Sequence, residues 1–142
     1  MYAGASTGLA VLRRDGFASM ISTSNAGSAL ITRPVVFSGK YLFVNADCSK
    51  GTLRVELMKQ SGSVIEGYEK DNCIPIHIDK TRIQVTWLKK DNLEILAGEP
   101  IQIKFYLTNG KLYSFWVSPE PRGQSNGYVA AGGPEFSGSR DI

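Results

Sequence analysis

The side chains that could do acid–base chemistry in this sequence are mostly carboxylates. There are 13 aspartates and glutamates and a single histidine. Two positioned acids are enough to hydrolyse a glycoside, but a general acid needs apolar surroundings that raise its pKa. Most of these acids lie in predicted turns or on polar strand faces, so we interpret them as surface charge. Two of the acids could bind a sugar hydroxyl or a calcium ion. They are Asp47, at a strand end, and Asp79, before Lys80.

Sequence patterns for other catalysis or for cofactor binding are incomplete. Residues 4–8 (GASTG) and 123–127 (GQSNG) have the Gly-x-Ser-x-Gly spacing, but neither lies between a predicted strand and a predicted helix, as a nucleophile elbow requires. Residues 4–8 also lack the lysine of a phosphate-binding loop. No acidic loop has a calcium-binding spacing, and Cys48 and Cys73 lack the histidine spacing of a zinc site. Two cysteines could form a disulfide, but we expect both to be free, partly buried thiols. We expect His77 to be an ordinary strand residue. The sequence therefore predicts no metal site and no cofactor.

An aromatic stretch, residues 101–117 (IQIKFYLTNGKLYSFWV), offers a different kind of site. An Asn-Gly pair between alternating apolar residues predicts a β-hairpin, because both turn residues need positive φ. With Asn109 and Gly110 as the loop, Tyr106 faces Tyr113 across the two strands. Alternation then predicts a core face made of Ile103, Phe105, Leu107, Leu112 and Trp116.

The opposite face of this predicted hairpin is the candidate ligand site. Its members combine flat aromatic rings with polar side chains: Tyr106, Tyr113, Phe115, Lys104 and Gln102. An aromatic face attracts the apolar side of a pyranose ring, and a few oriented polar groups then bond its hydroxyls. The alternative is that a loop, the tail or a neighbouring domain covers this face, because exposed apolar patches mark interfaces. Trp87 and Trp116 have aliphatic neighbours, which predicts that both lie in the core.

Short strand patterns recur along the chain, with Gly, Asn, Asp, Ser and Pro between them. We predict strands at 8–12, 17–22, 28–32, 35–37, 41–47, 52–58, 82–88, 101–107 and 111–117. One-sided alternation, as in Leu53, Val55 and Leu57, is what a two-layer sandwich produces. Residues 62–79 predict a long connection that crosses between sheets or covers an edge, and residues 91–96 a short helical turn. The predicted fold class is all-β, an antiparallel β-sandwich of jelly-roll type.

Length and composition indicate one domain of 142 residues with its own core. The leading segment and first strands occupy residues 1–20, the sandwich residues 8–117, and a Gly/Pro/Ser-rich tail residues 118–142. No regular element is expected in the tail. Its sizeable apolar anchors are Tyr128, Val129 and Phe136.

Charge and hydropathy argue against two classes of partner. The net charge is +3 and the basic residues are scattered, whereas nucleic-acid binders concentrate Lys and Arg on one face. No apolar run approaches the ~20 residues that a membrane span needs. The short apolar patch at residues 9–12 precedes its arginines, which is the reverse of a signal peptide. We therefore expect neither a nucleic-acid nor a membrane partner, and the compartment stays open.

Three stretches of the chain resemble a known family: residues 13–20 (RRDGFASM), residues 32–47 (TRPVVFSGKYLFVNAD) and residues 93–116, with their AGEP link and LYSF strand. Together they resemble the C-terminal β-sandwich region of bacterial proteins related to glycoside hydrolase family 32. In those proteins an N-terminal five-bladed β-propeller carries the catalytic acids, and the sandwich packs beside it. The resemblance implies that no catalytic residue carries over, and that residues 1–20 are the remnant of a linker from an upstream domain. Residues 76–80 (IHIDK) depart from the pattern, since related chains tend to have Gly before this Asp.

These observations predict a non-catalytic accessory module associated with carbohydrate-active enzymes, with weak carbohydrate binding through the aromatic strand face. The alternative is a structural or docking module that packs on a catalytic propeller domain or forms a homodimer. A stand-alone glycoside hydrolase is the third expectation, and it needs two acids about 5–10 Å apart in a concave site.

Overall fold

The computed structural model describes residue 4, residues 6–127 and residues 138–142. Seven strands form two antiparallel sheets around one core, which confirms the predicted antiparallel β-sandwich. The strands are β1 (Met20–Ser22), β2 (Ser28–Ile31), β3 (Tyr41–Asp47), β4 (Thr52–Lys59), β5 (Asp79–Gln84), β6 (Ile101–Thr108) and β7 (Gly110–Ser118). The four-stranded sheet has the order β1-β7-β3-β5, and the three-stranded sheet has the order β2-β6-β4.

Most of the predicted strands are present, although several ends differ. β3 has the predicted bounds, whereas β5 begins at Asp79 and ends at Gln84 instead of spanning 82–88. The strand predicted at 8–12 is wrong, because these residues lie exposed and pair with no strand. At 35–37 only Val35 pairs, in an isolated bridge to Ile101.

Irregular segments follow the predictions more closely. The short turn predicted at 91–96 is a 3-10 helix at Glu94–Leu96, and the Asn92 Oδ1 accepts a bond from the Glu94 N–H at 3.1 Å. The described part of the tail, residues 119–127 and 138–142, contains no strand or helix. The predicted tail anchors Tyr128, Val129 and Phe136 lie outside the described residues.

The core lies between the sheets and is built from the alternate side chains that each strand turns inward. Its largest contributors from β3, β4 and β6 are Leu42, Val44, Ala46, Leu53, Val55, Leu57, Ile101, Ile103, Phe105 and Leu107. Trp87 is buried as predicted, and its indole N–H donates to the Val55 carbonyl at 3.0 Å. The Tyr68 ring meets it edge-on at 5.1 Å, which is a favoured aromatic geometry.

The long connection after β4 crosses from the three-stranded sheet to the four-stranded sheet, which is one of the two predicted alternatives. It pairs briefly with β4 through bridges of Val64 to Met58 and of Ile76 to Leu53, and contains the other 3-10 turn, Lys70–Asn72. Cys73 lies on this connection, and Cys48 follows β3. Both are free and buried, so the prediction of free thiols is confirmed.

The predicted hairpin at residues 101–117 is wrong. β6 and β7 are joined through Asn109 alone, but they belong to different sheets. Asn109 has φ of 44°, whereas Gly110 already pairs with Ser22 as part of β7 and has no positive φ. The chain therefore arches from one layer of the sandwich to the other. Each strand takes a central position in its own sheet, β6 between β2 and β4 and β7 between β1 and β3, so both of its edges are paired.

A bulge in β7 changes which side chains face the core. The pairing of β3 with β7 shifts at Tyr113, because Asn45 lies opposite Ser114 but Ala46 lies opposite Leu112. One extra residue reverses the alternation beyond it. As a result Phe115 packs against the core, with its ring centroid 5.1 Å from that of Phe105.

The same bulge turns Trp116 outward, so its predicted place in the core is wrong. Its ring stacks on Phe43 with centroids 5.6 Å apart, on the outer face of the four-stranded sheet. Its indole N–H donates to the Gly123 carbonyl at 3.1 Å. Gly123 has φ of +80°, and a Cβ there would lie only 2.7 Å from the Phe43 ring. The first turn of the tail therefore packs on this pair of rings because residue 123 has no side chain.

Candidate functional site

The five predicted ligand-binding residues do not form one site. Gln102, Lys104 and Tyr106 share the outer face of the three-stranded sheet, because alternate residues of β6 face the same side. Tyr113 lies in the bulge on the outer side of the four-stranded sheet, and Phe115 is turned inward. The shared aromatic platform was predicted from the hairpin register, and it is lost with the hairpin.

Tyr106 is the centre of a polar cluster on the three-stranded sheet. Its hydroxyl donates to Glu56 Oε1 at 2.9 Å. The ammonium groups of Lys70 and Lys104 lie 4.5 Å and 4.8 Å from its ring centroid, within cation–π range. The interaction with Tyr106, followed by the charge of Glu56, raises the pKa of Lys104, so its ammonium stays charged at neutral pH. The ring is therefore engaged by cations rather than left bare.

A groove runs beside Tyr106. Its volume is about 510 Å³, and its walls come from the turn before β2, from β2, from the ends of β4 and β6, and from the 3-10 turn. It is lined by Ala26, Gly27, Ser28, Ala29, Thr52, Arg54, Lys70, Tyr106, Leu107 and Thr108. Ala29 and Arg54 lie directly opposite Tyr106 on the two neighbouring strands. Three strands thus place a small residue, an aromatic ring and a guanidinium in one row.

Arg54, Glu56 and Lys70 are the residues of this cluster that the sequence analysis missed. Alternation along β4 places Arg54 and Glu56 together on its polar face, as the sequence already indicates. The pairing of β4 with β6, which brings them beside Tyr106, is not readable from either strand alone.

Tyr113 belongs to a second cluster, which fixes the leading segment to the sandwich. The Arg13 guanidinium lies 4.6 Å from the Tyr113 ring centroid. Its Nε donates to Asn45 Oδ1 at 2.6 Å, and the Asn45 amide donates to the Arg14 carbonyl at 2.7 Å. Asn45 is fully buried, so both of its hydrogen bonds lie under the leading segment. A buried amide with a missing partner costs about 1–3 kcal/mol, which favours this docked position.

The end of the described chain joins the same cluster. Asp141 is 4% exposed, and its carboxylate accepts bonds from the Ser125 N–H at 2.9 Å and from Arg14 at 3.1 Å. Burial alone would raise the pKa of Asp141, but the bonds from Ser125 and the Arg14 charge outweigh it and lower the pKa. The contact of Arg14 with Asp141 therefore joins the leading segment to the end of the described chain on one face of the sandwich.

The leading segment presents apolar side chains to solvent while its arginines hold it down. Leu9, Val11 and Phe17 are 94%, 84% and 88% exposed, and Leu12 is 63% exposed. Met20 and Ile21 on the edge strand β1 are also more than half exposed. We call residues 9–21 with these six side chains the apolar leading surface. Large apolar side chains exposed at several neighbouring positions are typical of an interaction site.

The two acids singled out in the sequence are neighbours. Asp47 and Asp79 lie opposite each other on β3 and β5, with side chains on one face. Asp79 forms an ion pair with Arg13. Hydrogen bonds from the Ser49 hydroxyl and N–H, and then the charge of Lys111, lower the pKa of Asp47. A general acid needs a raised pKa, so Asp47 is not suited to that role.

A second cavity of about 460 Å³ lies beside Asp47, between β1 and the start of β7, and includes Lys50 and Lys111 in its lining. Within the described ranges no three His, Cys, Asp or Glu side chains come together as metal ligands. The same part of the chain contains no helix that is long and apolar enough to cross a membrane.

Comparisons with protein-family models, with curated proteins and with solved structures found no match for this chain.

Proposed function

We propose that this protein is a non-catalytic β-sandwich accessory module that docks on a second protein domain through its apolar leading surface. The observation that carries the proposal is the contrast within residues 9–21. Arg13 and Arg14 are hydrogen-bonded to the buried Asn45, whereas Leu9, Val11 and Phe17 around them lie in solvent. The segment is fixed at Arg13 and Arg14 and leaves its apolar side chains uncovered, so part of the entropic cost of ordering it on a partner is already met.

A catalytic propeller domain is the partner we propose. The sequence resembles a sandwich that packs beside such a propeller, and there residues 1–20 correspond to the stretch that leads from one domain to the other. Apart from Ile21, the apolar leading surface lies within that stretch. Domain interfaces within one chain typically bury about 600–1,500 Å², which is within reach of the nine exposed residues among residues 9–21.

The test measures binding to a separately purified five-bladed propeller of the family 32-related bacterial proteins by titration calorimetry. We expect binding by the parent chain and its loss in Leu9→Ser/Phe17→Ser. The matched control is Leu88→Ser/Ile95→Ser, which removes two comparably exposed apolar side chains elsewhere on the sandwich and should bind like the parent.

Light scattering on the same samples tests the alternative partner. A concentration-dependent dimer that Leu9→Ser/Phe17→Ser converts to monomer would assign the surface to a second copy of the chain. A parent that binds no propeller and stays monomeric at every concentration would refute docking.

A second candidate function is weak carbohydrate binding, and the groove beside Tyr106 favours it.

The strand orders support the finer prediction of a jelly roll, a fold found in lectin domains. An eight-stranded jelly roll has the strand orders 1-8-3-6 and 2-7-4-5. If its fifth strand is removed and the later strands are renumbered, the orders become 1-7-3-5 and 2-6-4, which are those of the two sheets here. The connection at residues 60–78 takes the place of that strand. We propose no catalytic role, because Asp47 has a lowered pKa and Asp79 is paired with Arg13.

A further inference from the structure

We propose that the groove beside Tyr106 binds an acidic saccharide, through the carboxylate of a uronic acid residue. This inference rests on the carbohydrate-binding candidate and names its ligand class. It is independent of the docking surface, since the groove lies on the three-stranded sheet and the arginine anchors of the leading segment lie on the four-stranded sheet.

The first argument is charge. Tyr106 is surrounded by three cations, Arg54, Lys70 and Lys104. The acid of this cluster is Glu56, which is hydrogen-bonded to the Tyr106 hydroxyl. The ammonium groups of Lys70 and Lys104 both lie within 5 Å of one ring centroid, and like charges repel each other. A bound carboxylate would offset this repulsion, whereas a neutral ligand would not.

The second argument is the set of donors that the protein leaves unused. Arg54 bonds the Cys73 and Lys70 carbonyls, and both bonds come from Nη1. These bonds hold the guanidinium beside the groove, and its Nη2 makes no hydrogen bond to the described part of the chain. A guanidinium fixed at one end is a preorganised partner for a carboxylate.

The third argument is shape and hydroxyl chemistry. Gly27 and Ala29 border Tyr106 on the β2 side, so the groove stays open along one flank of the ring. Thr52 and Thr108 face each other across β4 and β6 at its end and offer hydroxyls. A ligand that carries both hydroxyls and a carboxylate therefore matches the groups that line the groove.

The experiment compares two forms of one polymer by titration calorimetry at low salt. Polygalacturonate carries a free carboxylate on each residue, and its methyl-esterified form has the same backbone with the charge masked. We expect the parent chain to bind polygalacturonate at least about tenfold more tightly than the ester, which corresponds to about 1.4 kcal/mol.

Variants locate the site. Lys70→Ala should weaken polygalacturonate binding about tenfold, because it removes one of the two cationic side chains that line the groove. Lys89→Ala removes an exposed lysine outside the groove and should leave the affinity unchanged. Thermal unfolding of each variant checks that the fold is intact, and Tyr106→Phe, which keeps the ring, gives a second test of the groove if Lys70→Ala is unstable.

Each other outcome overturns the inference in a distinct way. Equal binding of the ester would leave carbohydrate binding standing and refute the acidic ligand. Binding of a single-stranded oligonucleotide in preference to polygalacturonate would assign the groove to nucleic acid. No polysaccharide binding at all would refute both the inference and the carbohydrate candidate, while the propeller titration would still decide docking.

Discussion

The loss of stability in Phe115→Ala distinguishes two connections between β6 and β7: the arch seen in the structure and the hairpin that the Asn-Gly pair predicts. In a hairpin Phe115 shares the outer face with Tyr113, so its removal would cost little. In the structure it is half-buried and packs on Phe105 with ring centroids 5.1 Å apart. The substitution therefore removes part of the core.

The magnitude follows from the degree of burial. Replacing a fully buried phenylalanine by alanine costs about 3–5 kcal/mol, and an aromatic pair contributes about 0.5–1.5 kcal/mol of stability beyond its buried area. Because Phe115 is only half-buried, we expect the free energy of unfolding to fall by about 2–3 kcal/mol. With a urea m-value of about 1–3 kcal/mol/M, the unfolding midpoint should fall by about 0.7–3 M.

Equilibrium urea unfolding, followed by tryptophan fluorescence and circular dichroism, measures this change. Tyr113→Ala is the matched control, because it removes a ring two residues away that contacts Arg13 rather than the core. Its cost should stay near the ~0.5–1 kcal/mol of an exposed cation–π pair. A loss below about 0.5 kcal/mol for Phe115→Ala, or equal losses for the two variants, would refute the inward position of Phe115 and with it the arch.

Three further predictions concern Arg13 in the leading segment, the two thiols, and the buried carboxylate of Asp141. Arg13→Ala leaves the buried Asn45 Oδ1 without its donor, so unfolding should become easier by about 2 kcal/mol, whereas Arg33→Ala, at an exposed position, should change urea stability by less than about 0.5 kcal/mol. Burial raises the pKa of Cys48 to about 11, so a disulfide reagent at pH 8 should label Cys48 and the equally buried Cys73 only in urea; rapid native labelling would contradict their burial. The pKa of Asp141 lies below its usual 3.8 in the folded state. Its stabilising effect should therefore be present above about pH 4 and be lost as the pH falls through the lowered value; hydrogen exchange should then show the Ser125 amide opening in acid, and in Asp141→Asn this pH dependence should be absent.

The sequence by itself determined the class of the fold and most of its strands. Period-two alternation, as in Leu53, Val55 and Leu57, requires one buried face per strand, and turn residues between short strands leave few alternatives to a two-layer antiparallel fold. The sequence also predicted a long connection at residues 62–79 and left its course open between a crossing and an edge cover, and it favoured free thiols over a disulfide.

Only the tertiary structure decided which strands pair. The Asn-Gly pair is a local preference, and it acts on the two residues of the turn. Central positions in two different sheets give β6 and β7 backbone hydrogen bonds along both edges, which outweighs that preference. The same choice separates Tyr106 from Tyr113, and the bulge at Tyr113 then turns Phe115 inward and Trp116 outward. Strand pairing joins residues far apart in the chain, such as Glu56 and Tyr106, so the groove and the arginine anchors could not be derived from the local patterns that predicted the strands.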